Sequence, residues 1–271
     1  TPVTRVLMKK FAALALCVGI FLAAVLCVCG LRASGQVTAD KKTRPEVDFT
    51  QFPIADLNAP ESSDESKRLK RAKKSKKHNT NSHSEISDLS NGIFVVNEVL
   101  GNLPALPIQR SSVVLLGRIA SATAYLSEDK TSVYSEFEVQ IETVFKNSSK
   151  QALSSDDCVL VERFGGRARL PSGKLFIAAV DNQDMPLVGS KYVLFLTNDF
   201  MAGKHSDEDF NILMGYELKD GQVVPLDRTS PKHPISRYFK ADETVFLSDL
   251  SSALRLDAFG PACLSCPSMS Q

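Results

Sequence analysis

From Val133 to Phe145 the residues alternate in character almost without interruption. Val133, Phe137, Val139, Ile141 and Phe145 share one parity, with Ser135 and Thr143 between them, and Glu136, Glu138, Gln140 and Glu142 hold the other. A strand turns successive side chains to opposite faces, so the stretch predicts one long strand with an apolar inner face and an acidic outer one. Burying Phe137, Val139, Ile141 and Phe145 stabilises by roughly 6–12 kcal/mol, at about 1.5–3 each, comparable to the net stability of a whole domain. A chain carrying this feature is committed to an antiparallel β domain with this strand at its centre.

Further strand signals surround it. Val113 to Tyr125 comes before, and the polar turn Ser127–Lys130 predicts a hairpin between the two. After it come 158–164, 174–180, 191–197 and 210–218. Asp220-Gly221, a dipeptide tolerant of positive φ, predicts a tight turn into 222–226, where Pro225 marks an edge or an end. Short strands with no helix among them predict a mainly β fold: an antiparallel barrel, closed or nearly closed, or a sandwich. About 115 residues suffice for one such core.

The flanks differ. Arg5, Lys9 and Lys10 precede an unbroken apolar run of 20 residues, Phe11 to Gly30, followed by Ala33-Ser-Gly35. That order of regions is the order of a secretory signal, and about 30 Å of apolar helix also suffices as a membrane anchor, so residues 1–35 are expected to be one or the other. Bases on both sides of the run leave its orientation without a vote. Residues 36–92 lack a sustained apolar period and are expected to form a disordered charged linker. Within it, 46–65 carries six acids and no base, and 67–77 carries eight bases and no acid. Those bases (Lys67, Arg68, Lys70, Arg71, Lys73, Lys74, Lys76, Lys77) suit an anionic surface, against the blander reading of a solvated charge run. With no aromatic residue among them, stacking on single-stranded nucleic acid is disfavoured. Residues 93–111 are transitional. Beyond the β domain at 112–227, residues 228–271 make a connector, a short helix and a Cys-containing tail. In that helix Asp242 is the cap, Glu243 and Arg255 match the dipole at either end, and Phe246, Leu247, Leu250, Ala253 and Leu254 form an apolar stripe.

The runs VVLLGRIASATAYLSEDKTSVYSEFEVQIETVFKN, LVERFGGRARLPSG, MPLVGSKYVLFLT and GYELKDGQVVPLD, with Gly117, Gly189 and Gly215, carry a resemblance. They resemble exported bacterial proteins of unknown function with an OB-fold-like or netrin-like core, similar to tissue inhibitors of metalloproteinases. The resemblance implies a barrel, preceded here by the N-terminal hydrophobic helix and the linker, and a binding role. Those inhibitors grip a protease zinc through an amino-terminal Cys-x-Cys, which has no counterpart at the start of this β domain, so no residue role carries over.

Chemical motifs are sparse. Phe164 to Lys174 reads as a loop in which Gly165 and Gly166 let backbone amides approach an anion, with Arg167, Arg169 and Lys174 adding charge; a mobile polar connection is the plainer alternative. Glu136, Glu138 and Glu142 share a strand face with no perturbing partner in sight, which predicts a solvated surface rather than acid–base catalysis. His78, His83, His205 and His233 lack ligand spacing, so neither metal nor cofactor is expected. Cys263 and Cys266, bracketed by Pro261 and Pro267, suggest a disulfide rather than a redox pair. The reading is a non-enzymatic binding module, exported or anchored in the inner membrane through residues 11–30, meeting a protein or an envelope polymer. Its alternatives are an envelope enzyme or thiol-redox protein using Cys263/Cys266, and an anionic-polymer or nucleic-acid binder acting through 67–77.

Overall fold

The alternating stretch is a strand, paired along its whole length with its predecessor. A computed structural model describes residues 48–57, 63–79, 86, 92–96, 103–200, 204–205 and 209–259. In chain order these form a 3-10 turn (Phe49–Gln51), β1 (Ile54–Asp56), helix α1 (Glu65–Lys77), β2 (Gly92–Val96) and a 3-10 turn (Ile108–Arg110). There follow β3 (Val113–Leu126), β4 (Val133–Asn147), β5 (Cys158–Phe164), β6 (Gly166–Arg169), β7 (Leu175–Val180) and β8 (Lys191–Thr197). Then come β9 (Asp199–Phe200), β10 (Lys204–His205), β11 (Phe210–Lys219), β12 (Gln222–Pro225), a 3-10 helix (Pro234–Tyr238), β13 (Ala241–Asp242) and α2 (Glu243–Phe259).

In β4, Val133, Ser135, Phe137, Val139 and Ile141 are buried, while Glu138, Gln140 and Glu142 are exposed. The alternation ends at a bulge. Gly117 faces Ile141 and Leu116 faces Thr143, so Glu142 is an extra residue, and parity reverses beyond it. Val144 therefore packs against the inner cluster, and Phe145 against the cluster on the opposite side, not beside Phe137 as its parity had suggested. Gly117 is required at this crossing: a Cβ there would lie 2.6 Å from Val139 Cγ1 and 2.7 Å from the Gln140 carbonyl oxygen.

The main sheet runs β13-β12-β11-β5-β4-β3-β8, and β11 also pairs antiparallel with β8. β11 follows β8 for most of its length and reaches β5 through two parallel pairs, Phe210 with Val161 and Asn211 with Glu162. The sheet thus curls on itself without becoming a closed barrel. Asp220 and Gly221, at φ 52° and 73°, make the tight turn into β12. Pro225 pairs with Tyr216 beyond the end of β13, as an edge proline must. A second, mixed sheet runs β1-β6-β7-β2, with β1 parallel to β6 and β2 parallel to β7. The chain passes from the first sheet to the second at Gly165 and Gly166, φ 103° and 146°, where a Cβ on Gly166 would sit 2.8 Å from Ser135 Oγ.

β3 is buried at five successive positions because both its faces are covered. Inside the curl, Val113, Leu115 and Ile119 meet Phe137, Val139, Ile141 and Val161. On the other side, Val114, Leu116, Phe195 and Tyr216 meet Phe246 and Leu250 of α2. α2 packs by its expected stripe, and Asp242 Oδ1 accepts from the Thr244 and Val245 amides as its cap. The helix continues to Phe259, which leaves Arg255 short of the last turn.

Three pieces of the expected linker are ordered elements. Phe52 is buried in the inner cluster, β1 pairs with Arg167–Arg169, and residues 65–77 are a helix. The reason is local: Asp64 takes the Ser66 amide at 2.9 Å at the helix start, and Lys, Arg, Glu and Ala are good helix formers. Among the described residues no helix is long and apolar enough to cross a membrane, and the run 11–30 lies outside them.

Candidate functional site

Pairing sets β4 against β5 so that Glu136 stands directly opposite Glu162 on the outer face. Two carboxylates in that relation repel unless a cation lies between them. Lys74 of α1 supplies it, its Nζ 3.1 Å from Glu136 Oε1, 3.0 Å from Glu162 Oε1 and 3.4 Å from Oδ1 of Asp209, the residue before β11. One turn on, Lys77 Nζ lies 2.9 Å from Glu162 Oε2 and 3.4 Å from Asp209 Oδ2. His78 completes the contact, with Nε2 3.1 Å from Glu162 Oε2 and its ring stacked on Tyr134. Lys74, Lys77 and His78 lie three and four apart in sequence, on one helical face.

The recess is nearly dry. Glu162 is 1% exposed, and Tyr134 and His78 are buried. Burial alone would raise the Glu162 carboxyl, but the His78 bond and the charges of Lys77 and Lys74 outweigh it and bring it down to about 2. Burial drives the His78 imidazole below its usual range, and its bond to Glu162 recovers part of the shift. At Glu136 burial prevails and the carboxyl is raised, Lys74 notwithstanding. Lys74 is disfavoured as a charge by burial, yet Glu162, Glu136 and Asp209 together hold it well above the ordinary lysine value. The ammonium is fixed as a cation, so it serves as a structural counter-ion and not as a base.

The β3–β4 turn clasps the end of α1. The Glu128 amide donates to the Ser75 carbonyl at 3.2 Å, Ser132 Oγ to the His78 carbonyl at 2.7 Å, and the Asp129 amide to Asn79 Oδ1 at 3.1 Å. Ser75 Oγ lies 3.1 Å from the Tyr134 hydroxyl, and Arg71 stacks over Tyr125, its Cζ 4.3 Å from the ring centre. The apolar side chains of α1, Leu69 and Ala72, are both exposed, Leu69 to 65%. Polar and charged contacts hold this helix.

No family model, curated protein or solved structure matches this chain.

The basic run thus divides. Lys74 and Lys77 are spent on the recess, and Arg68, Lys70, Lys73 and Lys76 are exposed on the remaining faces, with Arg71 exposed beside Tyr125; Lys67 lies on the same helix. Glu136 is not the partnerless surface acid its pattern suggested, whereas Glu138 and Glu142 remain on the outer surface, meeting Ser121 and the pair Arg118 and Lys191. Phe164 to Lys174 is not one loop. Gly165 and Gly166 turn the corner between sheets, and Arg167 and Arg169 lie in β6, the former donating to the Phe52 carbonyl at 2.8 Å and the latter 3.7 Å from Asp56. Lys174 closes the β6–β7 turn, its carbonyl accepting from the Leu170 amide. These residues build the second sheet and its turns. Cys158 opens β5 as an exposed thiol, and Cys263 and Cys266 lie outside the described residues.

Sequence reasoning passed over Glu162 and Tyr134, and it weighed His78 and Asp209 only as metal ligands, setting them aside for want of ligand spacing. Glu162 carried a signal, a lone acid within the apolar strand Cys158–Phe164, and so did the Lys-x-x-Lys-His spacing at 74–78.

Proposed function

We propose that this chain is a non-enzymatic binding module held at a membrane, and that its contact with anionic phospholipid headgroups is made by the outward face of α1. The observation that carries the reading is the division of the basic run: with Lys74 and Lys77 clamped inward, Arg68, Lys70 and Lys76 are held in fixed positions on the exposed surface. Leu69 stands exposed among them, as on helices that lie in a headgroup layer. The apolar run 11–30 gives a tether where it remains as an anchor; where it is a cleaved signal it directs export to the periplasmic side, and the contact with lipid then rests on α1 alone.

The fold beneath it we read as OB-like or netrin-like. The order β3-β4-β5-β11-β8, with β11 antiparallel to β8 and briefly parallel to β5, supports that reading.

The test is trypsin cleavage at residues 68–76 of the full chain, in nanodiscs of neutral or anionic lipid. Cleavage is expected to slow at least tenfold on anionic lipid and to recover with salt. Triple replacement R68Q/K70Q/K76Q should weaken the lipid association about a hundredfold, at about 1 kcal/mol per base near an anionic surface. Cleavage and association indifferent to lipid charge would overturn the reading.

A further inference from the structure

A helix normally docks by its apolar stripe, and α1 has none facing the body. Its attachment consists of ion pairs, hydrogen bonds, the His78–Tyr134 stack and the Arg71–Tyr125 contact. The ion pairs among these contacts weaken with ionic strength, the partly exposed Lys74 and Asp209 more than Glu162, whereas the apolar clusters beneath them do not. The surroundings of His78 make the same contact sensitive to acid. Glu162 from β5, Glu136 and Tyr134 from β4, Asp209 beside β11, and Lys74 and Lys77 from α1 surround it, while Glu128 and Asp129 of the β3–β4 turn bond the neighbouring Ser75 and Asn79, and the Lys130 carbonyl accepts from Ile86. Charging the imidazole there sets a third cation beside two lysines in a nearly dry recess, and withdraws any acceptor role from its nitrogens.

The chain on either side permits release. β1 and Ile86 are fixed on the body, the latter buried with its amide donating to the Lys130 carbonyl at 2.7 Å. Eight residues separate β1 from α1, and eight separate α1 from Ile86. At about 3.3 Å per residue each connection reaches up to about 26 Å, enough for α1 to leave the sheet while both attachments stay in place.

We propose that α1 is an electrostatic latch over an acidic docking face: on acidification or at raised ionic strength it leaves the sheet while the β core stays folded, exposing Glu136, Glu162 and Asp209 to a Lys/Arg-rich segment of a partner protein. The occupant now seated there states the chemistry a partner must bring, namely cations at positions i and i+3 and a flat ring at i+4 to lie on Tyr134. The latch stands independently of what the outward face of α1 meets.

Hydrogen exchange on the full chain tests the release. Protection of amides 71–79 is expected to fall at least tenfold at about 0.5 M salt, or near pH 5.5, with protection in β4 and β8 unchanged. If α1 is unprotected from the outset, holds its protection, or loses it together with β4, the latch is overturned. The docking face is tested with a synthetic peptide of residues 64–79 added to a K74Q/K77Q chain. Binding is expected to weaken at least tenfold when the rim acids are also neutralised as E136Q/D209N, two largely buried polar positions outside the apolar core clusters. Failure of the peptide to bind, or equal binding to both chains, would remove the docking face.

Discussion

His78 lies flat on Tyr134, the ring centroids 4.0 Å apart and the planes within 1° of parallel. The stack brings the end of α1 onto β4, and the same imidazole bonds Glu162 of β5, so one side chain ties the helix to two strands. His78→Ala is expected to cost about 2–3 kcal/mol, from the stacked pair and a hydrogen bond to a charged group. The loss should fall on α1. Exchange protection at 71–79 should drop, while the unfolding midpoint of the β core moves little.

The response to pH follows from two depressed pKa values. His78 is neutral in the folded chain, so its contribution is present above the free value of 6.5 and is lost as pH falls below it toward the lower folded value. Glu162 contributes above 4.5 and loses that contribution as pH falls toward about 2. Glu136, whose carboxyl is raised, acts in the opposite sense: its penalty is relieved as pH falls toward 4.5, which offsets part of the first loss and not the second. Helicity followed by circular dichroism should show a first loss beginning just below pH 6.5, absent in His78→Gln.

Gly117 admits the close crossing of β3 over β4. Gly117→Ala places a methyl under 3 Å from the backbone of Gln140, and overpacking of this kind typically costs about 1–3 kcal/mol. Thermal unfolding of the variant should begin several degrees lower. An unchanged midpoint would mean that the two strands can separate at no cost.

Arg163, at the end of β5, donates to Asp227 where β12 ends, and both side chains are buried. Burial raises the Asp227 carboxyl, and the Arg163 charge opposes that shift. Removing one member of such a pair costs about 3–5 kcal/mol, because the other charge stays buried and uncompensated. Asp227→Ala should therefore unfold at much lower denaturant than the double variant R163M/D227L, in which both charges are absent.

The hairpin, the Asp220-Gly221 turn and the α2 stripe were legible because each rests on a local period or a turn dipeptide. The bulge at Glu142 was not, since only pairing to Leu116 and Gly117 reveals the extra residue. α1 was hidden for a different reason. Judged by apolar period, 65–77 has nothing to bury, and the partners that hold it, Glu136, Glu162 and Asp209, lie 62, 85 and 132 residues away from Lys74 or Lys77. Charge complementarity over such separations leaves no periodic trace. Phe52 and Ile54 did leave one, a short apolar cluster within an acidic stretch.

The corner at Gly165–Gly166 carries a consequence for how this architecture can be divided. β5 and β6 are one thread bent between two sheets, so recombination or truncation has no seam there at which to part them. The two sheets must be inherited, and must melt, as one block.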